Sequence, residues 1–314
     1  MSEKIVMFRN RLIKVFKHLG KQAARQGVSC YRVYDHDLPE FPFSIEFYGT
    51  RLYVAEYRRN HHLSEEEYEE QVKETLAVIS EVLKVEPGNI FLKERKRKED
   101  RQSQYARLGE EGTFFTVEEG GLKFLVNLED YLDTGLFNDH RLTRQMVRQE
   151  ANGRNMLNLF CYTGSFSVYA AAGGAKTVTS IDLSNTYIDW ALQNFKINGL
   201  YDMAKHDFIK ADVLQHIDKL PANHYDLVVL DPPTFSNSKM MKTFFDVQQH
   251  HAGLINRVLH TMAPGGILYF STNFTRFQLD DQLIKAAEIK DITRQTTPFD
   301  FEKKLKRWCF KMVK

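Results

Sequence analysis

From Asn155 onward the chain alternates apolar runs with helical patterns. NMLNLF is followed by TGSFSVYAAAGG, TVTSID by SNTYIDWALQNFKINGL, HDFIKAD by VLQHIDKL, and YDLVVLD by a long helical stretch ending at Gly265-Gly266 before ILYFSTN. Strands separated by helices cannot pair as tight hairpins, so the pattern demands a parallel sheet covered by helices on both faces. RWCFKMV supplies a closing strand. The expected fold is α/β over residues 131–314.

The preceding stretch reads differently. Phe8 to Arg25 places Leu12, Val15, Phe16 and Leu19 at helical spacing and leaves Arg11, Lys14, Lys17 and Lys21 for the outer face, a basic amphipathic helix. CYRVY, FSIEFYG and RLYVAEY read as strands punctuated by Pro39, Pro42 and Gly49. Ser64 to Leu83 returns to a helix with a capped, acidic first turn. GTFFTVEEGGLKFLVNL reads as a hairpin turning at Gly120-Gly121, and the character changes near Tyr131. A chain of 314 residues exceeds the usual single domain, so a smaller N-terminal α+β domain over 1–130 is expected ahead of the larger one.

No run approaches the roughly 18 to 20 apolar residues of a membrane helix, and the start is too charged for a signal peptide, so no membrane partner and a cytoplasmic location are expected. Cys30, Cys161 and Cys309 match neither a disulfide framework nor zinc-site spacing and read as reduced thiols. The adjacent pairs His61-His62 and His250-His251 point in different directions on any regular element, so no metal site is expected. A net charge of +2 says little about partners, but six of the nine residues from Lys93 to Arg101 are basic. Lys93, Arg95, Lys96, Arg97, Lys98 and Arg101 are candidates for gripping RNA phosphates; the alternative is a solvated charged loop.

In an open parallel sheet ligands bind beyond the carboxyl ends of the strands. Four such places carry chemistry: the turn Asn158 to Gly164, Asp182 at the end of the next strand, Asp212 after the third, and Asp231-Pro232-Pro233 after the fourth. Asp182 lies 18 residues beyond Gly164, a spacing suited to an acid that accepts from ribose hydroxyls, and Asp212 is placed to meet an adenine amino group. A dinucleotide would need several glycines to admit its pyrophosphate, and this turn has only Gly164. S-adenosylmethionine carries no phosphate, so one glycine with polar neighbours suffices, and a methyltransferase reading outweighs a dehydrogenase one. Two prolines directly after a buried strand forbid a helix and remove two donors, leaving a rigid wall that suits a planar base beside a sulfonium methyl group.

NLFCYTGSFSVYAAAGGA, DLSNTYIDWALQNFKINGL, DLVVLDPPTFSNSK and DYLDTGLF resemble the RlmK-type 23S rRNA (guanine-N7)-methyltransferases, which form half of the bifunctional RlmKL enzymes. The likeness runs upstream through CYRVYDHDLPEF and QYARLGEEG and covers nearly the whole chain. It implies a Rossmann-like class I methyltransferase domain, S-adenosylmethionine as cofactor, and N7-methylguanine in 23S rRNA or a large-subunit assembly intermediate as product. Carried over by position, Asn158, Phe160, Tyr162, Thr163 and Gly164 would surround the cofactor, Asp182 and Asp212 would hold its nucleoside, and Asp231, Pro232 and Pro233 would face the guanine. Asp133, Thr134, Gly135, Phe137, Asp139 and Arg141 would close over the cofactor; the alternative is a helix start capped by Asp139. The bifunctional relatives carry a further RNA-binding region and an N2-guanine methyltransferase that these residues lack, so a separate N2 enzyme is a candidate partner.

Cytosine C5 methylation needs a cysteine nucleophile, and the relevant strand end reads Ser271-Thr272-Asn273. Cys161 reads as a small packed residue. Guanine N7 offers a lone pair at neutral pH and needs no base. Asn273, Arg276 and Phe277 are candidates for reading or stacking the base. An exocyclic-amine methyltransferase and an inactive RNA-binding module are the competing readings.

Overall fold

The computed structural model describes residues 2–57, 64–95, 112–236, 244–304 and 307–314. The chain divides into two compact units: the first comprises Met1–Gly121, Val126–Thr134 and Phe299–Lys304, the second Leu122–Leu125, Gly135–Pro298 and Leu305–Lys314.

In the first unit, α1 (Glu3–Gln26) begins where the Ser2 hydroxyl accepts from the Ile5 amide and ends on Gly27 at φ 64°. Its apolar positions Ile5, Phe8, Leu12 and Val15 are buried. Three strands follow, β1 (Cys30–Asp35), β2 (Phe43–Tyr48) and β3 (Arg51–Glu56), each antiparallel to the one before. Helix α2 (Glu65–Leu83) opens with a reciprocal capping box between Ser64 and Glu67. It carries the chain over to β4 (Ile90–Glu94), which pairs parallel to β3. The sequence reading did not mark β4, because IFLKE runs straight into the basic segment and lacks a turn signal at its far end. Phe8 stacks on Phe41 at 4.6 Å and meets the edge of Tyr34 at 5.3 Å, joining α1 to the sheet. Strands β5 (Phe115–Glu119) and β6 (Leu122–Val126) flank Gly120 and Gly121, whose φ of 59° and 75° explains why glycine stands at both positions.

The second unit opens with α3 (Arg141–Glu150) and then alternates as the sequence demands: β7 (Asn155–Leu159), α4 (Ser165–Ala172), β8 (Thr177–Asp182), α5 (Asn185–Ile197), β9 (His206–Lys210), the short α6 (Val213–His216) and β10 (Tyr225–Leu230). A small antiparallel ribbon, β11 (Phe235–Ser236) and β12 (Phe245–Asp246), precedes α7 (Val247–Thr261) and β13 (Met262–Thr272). Then come β14 (Glu288–Asp291), the one-turn α8 (Thr293–Thr296) and β15 (Trp308–Val313).

Among the described residues seven strands form one sheet in the order β14-β15-β13-β10-β7-β8-β9. Ladders from β9 to β13 are parallel, and β15 runs antiparallel between β13 and β14. Strands β7 and β10 are nearly continuous in Val, Leu and Met and almost wholly buried, as strands covered on both faces must be. The chain winds outward from β7 through β8 to β9, then restarts at β10 and winds the other way. That reversal between β7 and β10 opens a crevice beyond their carboxyl ends. No helix among the described residues is long and apolar enough to cross a membrane.

Candidate active site at the strand carboxyl ends

All four strand ends singled out from the sequence belong to the second unit. The turn after β7 is strained: Phe160 and Tyr162 hold φ of 56° and 50°, a region costly for side chains with a Cβ, and Gly164 follows at 72°. Hydrogen bonds to neighbouring segments hold the turn. The Tyr162 amide donates to Asp182 Oδ2 at 3.0 Å, and the Thr163 hydroxyl donates to the Gly135 carbonyl at 2.6 Å. The Tyr162 hydroxyl accepts from the Gly135 amide at 2.9 Å. Its ring meets Tyr187 edge-on at 4.5 Å and Phe137 at 5.1 Å. Thus the segment from Gly135 to Phe137 packs against the post-β7 turn.

Packing alone requires glycine at 164. A Cβ there would lie 2.7 Å from the Ala191 Cβ, so the close approach is to α5. Gly135 is tighter still, at φ 100° with Trp190 Cζ2 2.3 Å from where a Cβ would stand. Asn158 is buried and donates to Ser167 Oγ at 2.9 Å, which in turn shares a 2.7 Å bond with Ser180, so its amide is spent inside the sheet. Phe160 packs against the same unit's core. Asp133 and Thr134 belong to the first unit, where Asp133 pairs with Arg95 at 3.1 Å and Thr134 donates to the Tyr48 hydroxyl at 2.8 Å.

The two acids assigned to a nucleoside differ in their state. Asp182 also accepts from the Ser184 amide at 2.9 Å, and burial pushes its carboxyl up to about 6 despite the backbone donors that oppose the shift. Asp212 caps α6 by accepting from Leu214 on Oδ1, while its Oδ2 is buried with no hydrogen-bond partner among the described residues. A buried acceptor without a donor is costly unless a ligand supplies one. An adenine amino group is such a donor, so the residues present fit the nucleoside of S-adenosylmethionine.

Beyond β10, Asp231 is partly exposed and Pro232 buried. Ser271, on β13, donates to Asp231 Oδ1 at 2.6 Å. The Asp231 Oδ2 lies 3.6 Å from His140 Nε2, and Asp139 Oδ2 lies 3.7 Å from the same nitrogen. On the other side of the ring, Arg307 Nη1 is 2.7 Å from His140 Nδ1. A guanidinium only donates, so Nδ1 is the acceptor and Nε2 carries the proton toward the two carboxyls. Burial lowers the His140 pKa and Arg307 and Arg144 add to it, against the pull of Asp139 and Asp231, so the ring is held neutral. Arg307, itself 3% exposed, is fixed by donating to the Thr296 carbonyl at 2.9 Å.

Sequence reasoning missed His140, Ser271 and Arg307 as a set. His140 stood between two candidates in NDHR, but nothing in the spacing links it to Arg307, 167 residues away. α3 begins after His140 with no side-chain cap from that residue, and Asp139 lies 3.7 Å from both His140 Nε2 and Arg307 Nε. Arg141 is buried and Phe137 is 41% exposed. Phe277 is not a stacking platform. It is buried, edge-on to His251 at 4.8 Å, because its apolar neighbours Phe270 and Phe310 close over it. Asn273 is exposed and accepts from Thr234 at 2.5 Å; Arg276 is exposed. Cys161 is buried and its thiol is pushed well above the ordinary range. Of the basic run, Lys93 donates to the Glu129 carbonyl and Arg95 to the Leu132 carbonyl and Asp133. Lys96, Arg97, Lys98 and Arg101 lie outside the described residues. A separate cavity of about 300 Å³ between Met146, Gly265, Glu288 and Lys311 shares no residue with this cluster.

A sequence model of the S-adenosylmethionine-dependent methyltransferase family matches residues 68–304. The chain is 45% identical over 310 residues to the ribosomal RNA large subunit methyltransferase K of Neisseria meningitidis, covering 98% of this chain and 87% of that one. It is 46% identical over 301 residues to the ribosomal RNA large subunit methyltransferase K/L of Pseudomonas fluorescens, covering 96% of this chain but 39% of the relative. The crystal structure of SMU.776 complexed with SAH matches at a TM-score of 0.74 and 24% identity over 98% of this chain and 82% of that one, a likeness of fold. With a doubly wound sheet and an orphaned acceptor on Asp212 beyond its third strand, the chain belongs to the S-adenosylmethionine-dependent methyltransferases, in the family of the ribosomal RNA large subunit methyltransferases K.

Proposed function

We propose that this enzyme methylates N7 of a guanine in 23S rRNA, free or in an assembling large subunit. The RNA class follows from what its relatives are named for. The target atom rests on one observation, the Asp231 cluster: a partly exposed carboxyl held by Ser271 and faced by a histidine with no nitrogen left to accept a proton. S-adenosylmethionine supplies an electrophilic methyl group on sulfur. Guanine N7 attacks with its own lone pair, so no base is required. Orientation of the two reactants is worth about 7 to 11 kcal/mol in favourable systems. Pro232 and Pro233 set one wall for the base, and the Asp231 carboxyl favours the positive charge that builds on the ring. Asp182 and Asp212 hold the nucleoside, with Tyr162, Thr163 and Gly164 forming the turn between them and Gly135.

Cytosine C5 transfer would need a thiolate, and Cys161 is buried with its thiol pushed up. The test is product analysis on protein-free 23S rRNA incubated with the purified chain and S-adenosylmethionine. N7-methylguanine, located by reduction and strand cleavage at its labile ring, is the expected product. N2-methylguanine or 5-methylcytosine would overturn the target atom while leaving the cofactor assignment standing. Asp231→Ala is expected to slow transfer about 100-fold with S-adenosylhomocysteine affinity nearly unchanged.

A further inference from the structure

Helix α1 carries its cations in two distinct ways. Arg9 and Arg11 pair with Glu81 and Asp37 at 2.6 and 2.7 Å. Lys14, Lys17, Lys21 and Arg25 are all exposed and, among the described residues, make no ion pair. Their spacing of three, four and four residues puts them, at 3.6 residues per turn, within about 80° of one another and along roughly 16 Å of the helix. The apolar positions Ile5, Phe8, Leu12 and Val15 are buried in the first unit's own core. Glu3, in the first turn, is the helix's one acid.

We propose that this stripe of Lys14, Lys17, Lys21 and Arg25 is a docking rail for the phosphate backbone of ribosomal RNA, a binding surface distinct from the Lys93–Arg101 run. The proposal rests on the rRNA reading above and extends it to a part of the chain without catalytic residues. A row of unpaired cations with no acid between them matches an evenly charged polyanion, and its affinity comes from released counterions rather than from base identity. A membrane surface would also attract cations. It would further demand a continuous apolar face to insert; Ile5, Phe8, Leu12 and Val15 are buried in the first unit's own core, and the exposed Val6, Met7 and Ile13 all precede the cationic stripe.

The experiment measures binding of a protein-free 23S rRNA transcript across a series of salt concentrations for the full chain and for a fourfold variant, K14Q/K17Q/K21Q/R25Q. Each phosphate contact contributes about 0.7 to 0.9 to the slope of log affinity against log salt, so the variant is expected to lose a slope of about 3. Replacing the three lysines by arginine is expected to keep the slope. S-adenosylhomocysteine affinity, unchanged in both, establishes that the fold is intact. An unchanged slope in the fourfold variant overturns the rail while leaving the rRNA reading in place, as does binding to anionic phospholipid vesicles that depends on the four cations when RNA binding does not. A wild-type chain that binds S-adenosylhomocysteine but not the transcript overturns both.

Discussion

Asp182 is a carboxyl that the fold keeps uncomfortable. Its pKa is raised to about 6, so the folded, unliganded protein binds a proton there more tightly than the unfolded chain does. The sign follows from linkage: the stability this group contributes is full below 3.8 and is lost as pH rises through about 6. In the proposed role of Asp182, ribose hydroxyls would donate to the ionised form and reverse the preference. S-adenosylhomocysteine affinity is therefore expected to rise with pH through about 6, and Asp182→Asn to weaken binding and flatten that dependence in calorimetry. His140 offers a second residue-level test. Arg307, Arg144, Asp139 and Asp231 all bear on its ring, and burial with the two arginines keeps it neutral. Removing one cation by Arg307→Gln is expected to raise the His140 pKa, so the profile of methyl transfer gains an inflection that the wild type lacks. A profile unchanged in shape, from a variant that still binds S-adenosylhomocysteine, would show that the ring does not report to Asp231.

At the level of elements, two glycines separate close packing from backbone conformation. Gly135→Ala must drive a methyl group into Trp190 at a φ of 100°, whereas Gly153→Ala meets nothing within 4 Å and bears only the left-handed backbone at 72°. Denaturant unfolding is expected to show a loss of about 2 to 4 kcal/mol for Gly135→Ala and about 1 to 2 for Gly153→Ala. The helices and core strands were legible because periodicity reports burial: NMLNLF, TVTSID and YDLVVL are apolar for the same reason that they are central. Strand β14, EIKD, was not legible. It is an exposed edge with mostly polar side chains, and only backbone pairing with β15 makes it a strand. The strand-end acids were legible because topology places ligands there. Arg307 was not, since its bond to His140 depends on where a distant strand inserts and leaves no mark in local spacing.

For the molecule as a whole, ligand linkage gives a direct check on the cofactor. A ligand that binds only the native state adds about 2.7 kcal/mol of stability at 100 times its Kd. S-adenosylhomocysteine at that concentration is expected to raise the unfolding free energy by that increment and NAD to leave it unmoved; the reverse pattern would remove the cofactor assignment. The net charge of +2 over 314 residues gives no hint of RNA binding. Its arrangement is polarised, with α1 basic and the first turn of α2 made of Glu65, Glu66 and Glu67. Overall charge therefore predicts less than which helix bears it.

Strand β15 has a bearing on how the protein is made. It is the last of the seven strands to leave a translating ribosome, yet it lies between two others, and β14 has no ladder partner until it arrives. A nascent chain that has produced β13 and β14 therefore shows two open strand edges, the kind of surface that pairs with the wrong neighbour and that chaperones cover. Arg307 immediately precedes β15, so the translation step that closes the sheet also delivers the guanidinium to His140. A chain stalled before that point has an incomplete sheet and a histidine without its cation, and the same few codons complete both.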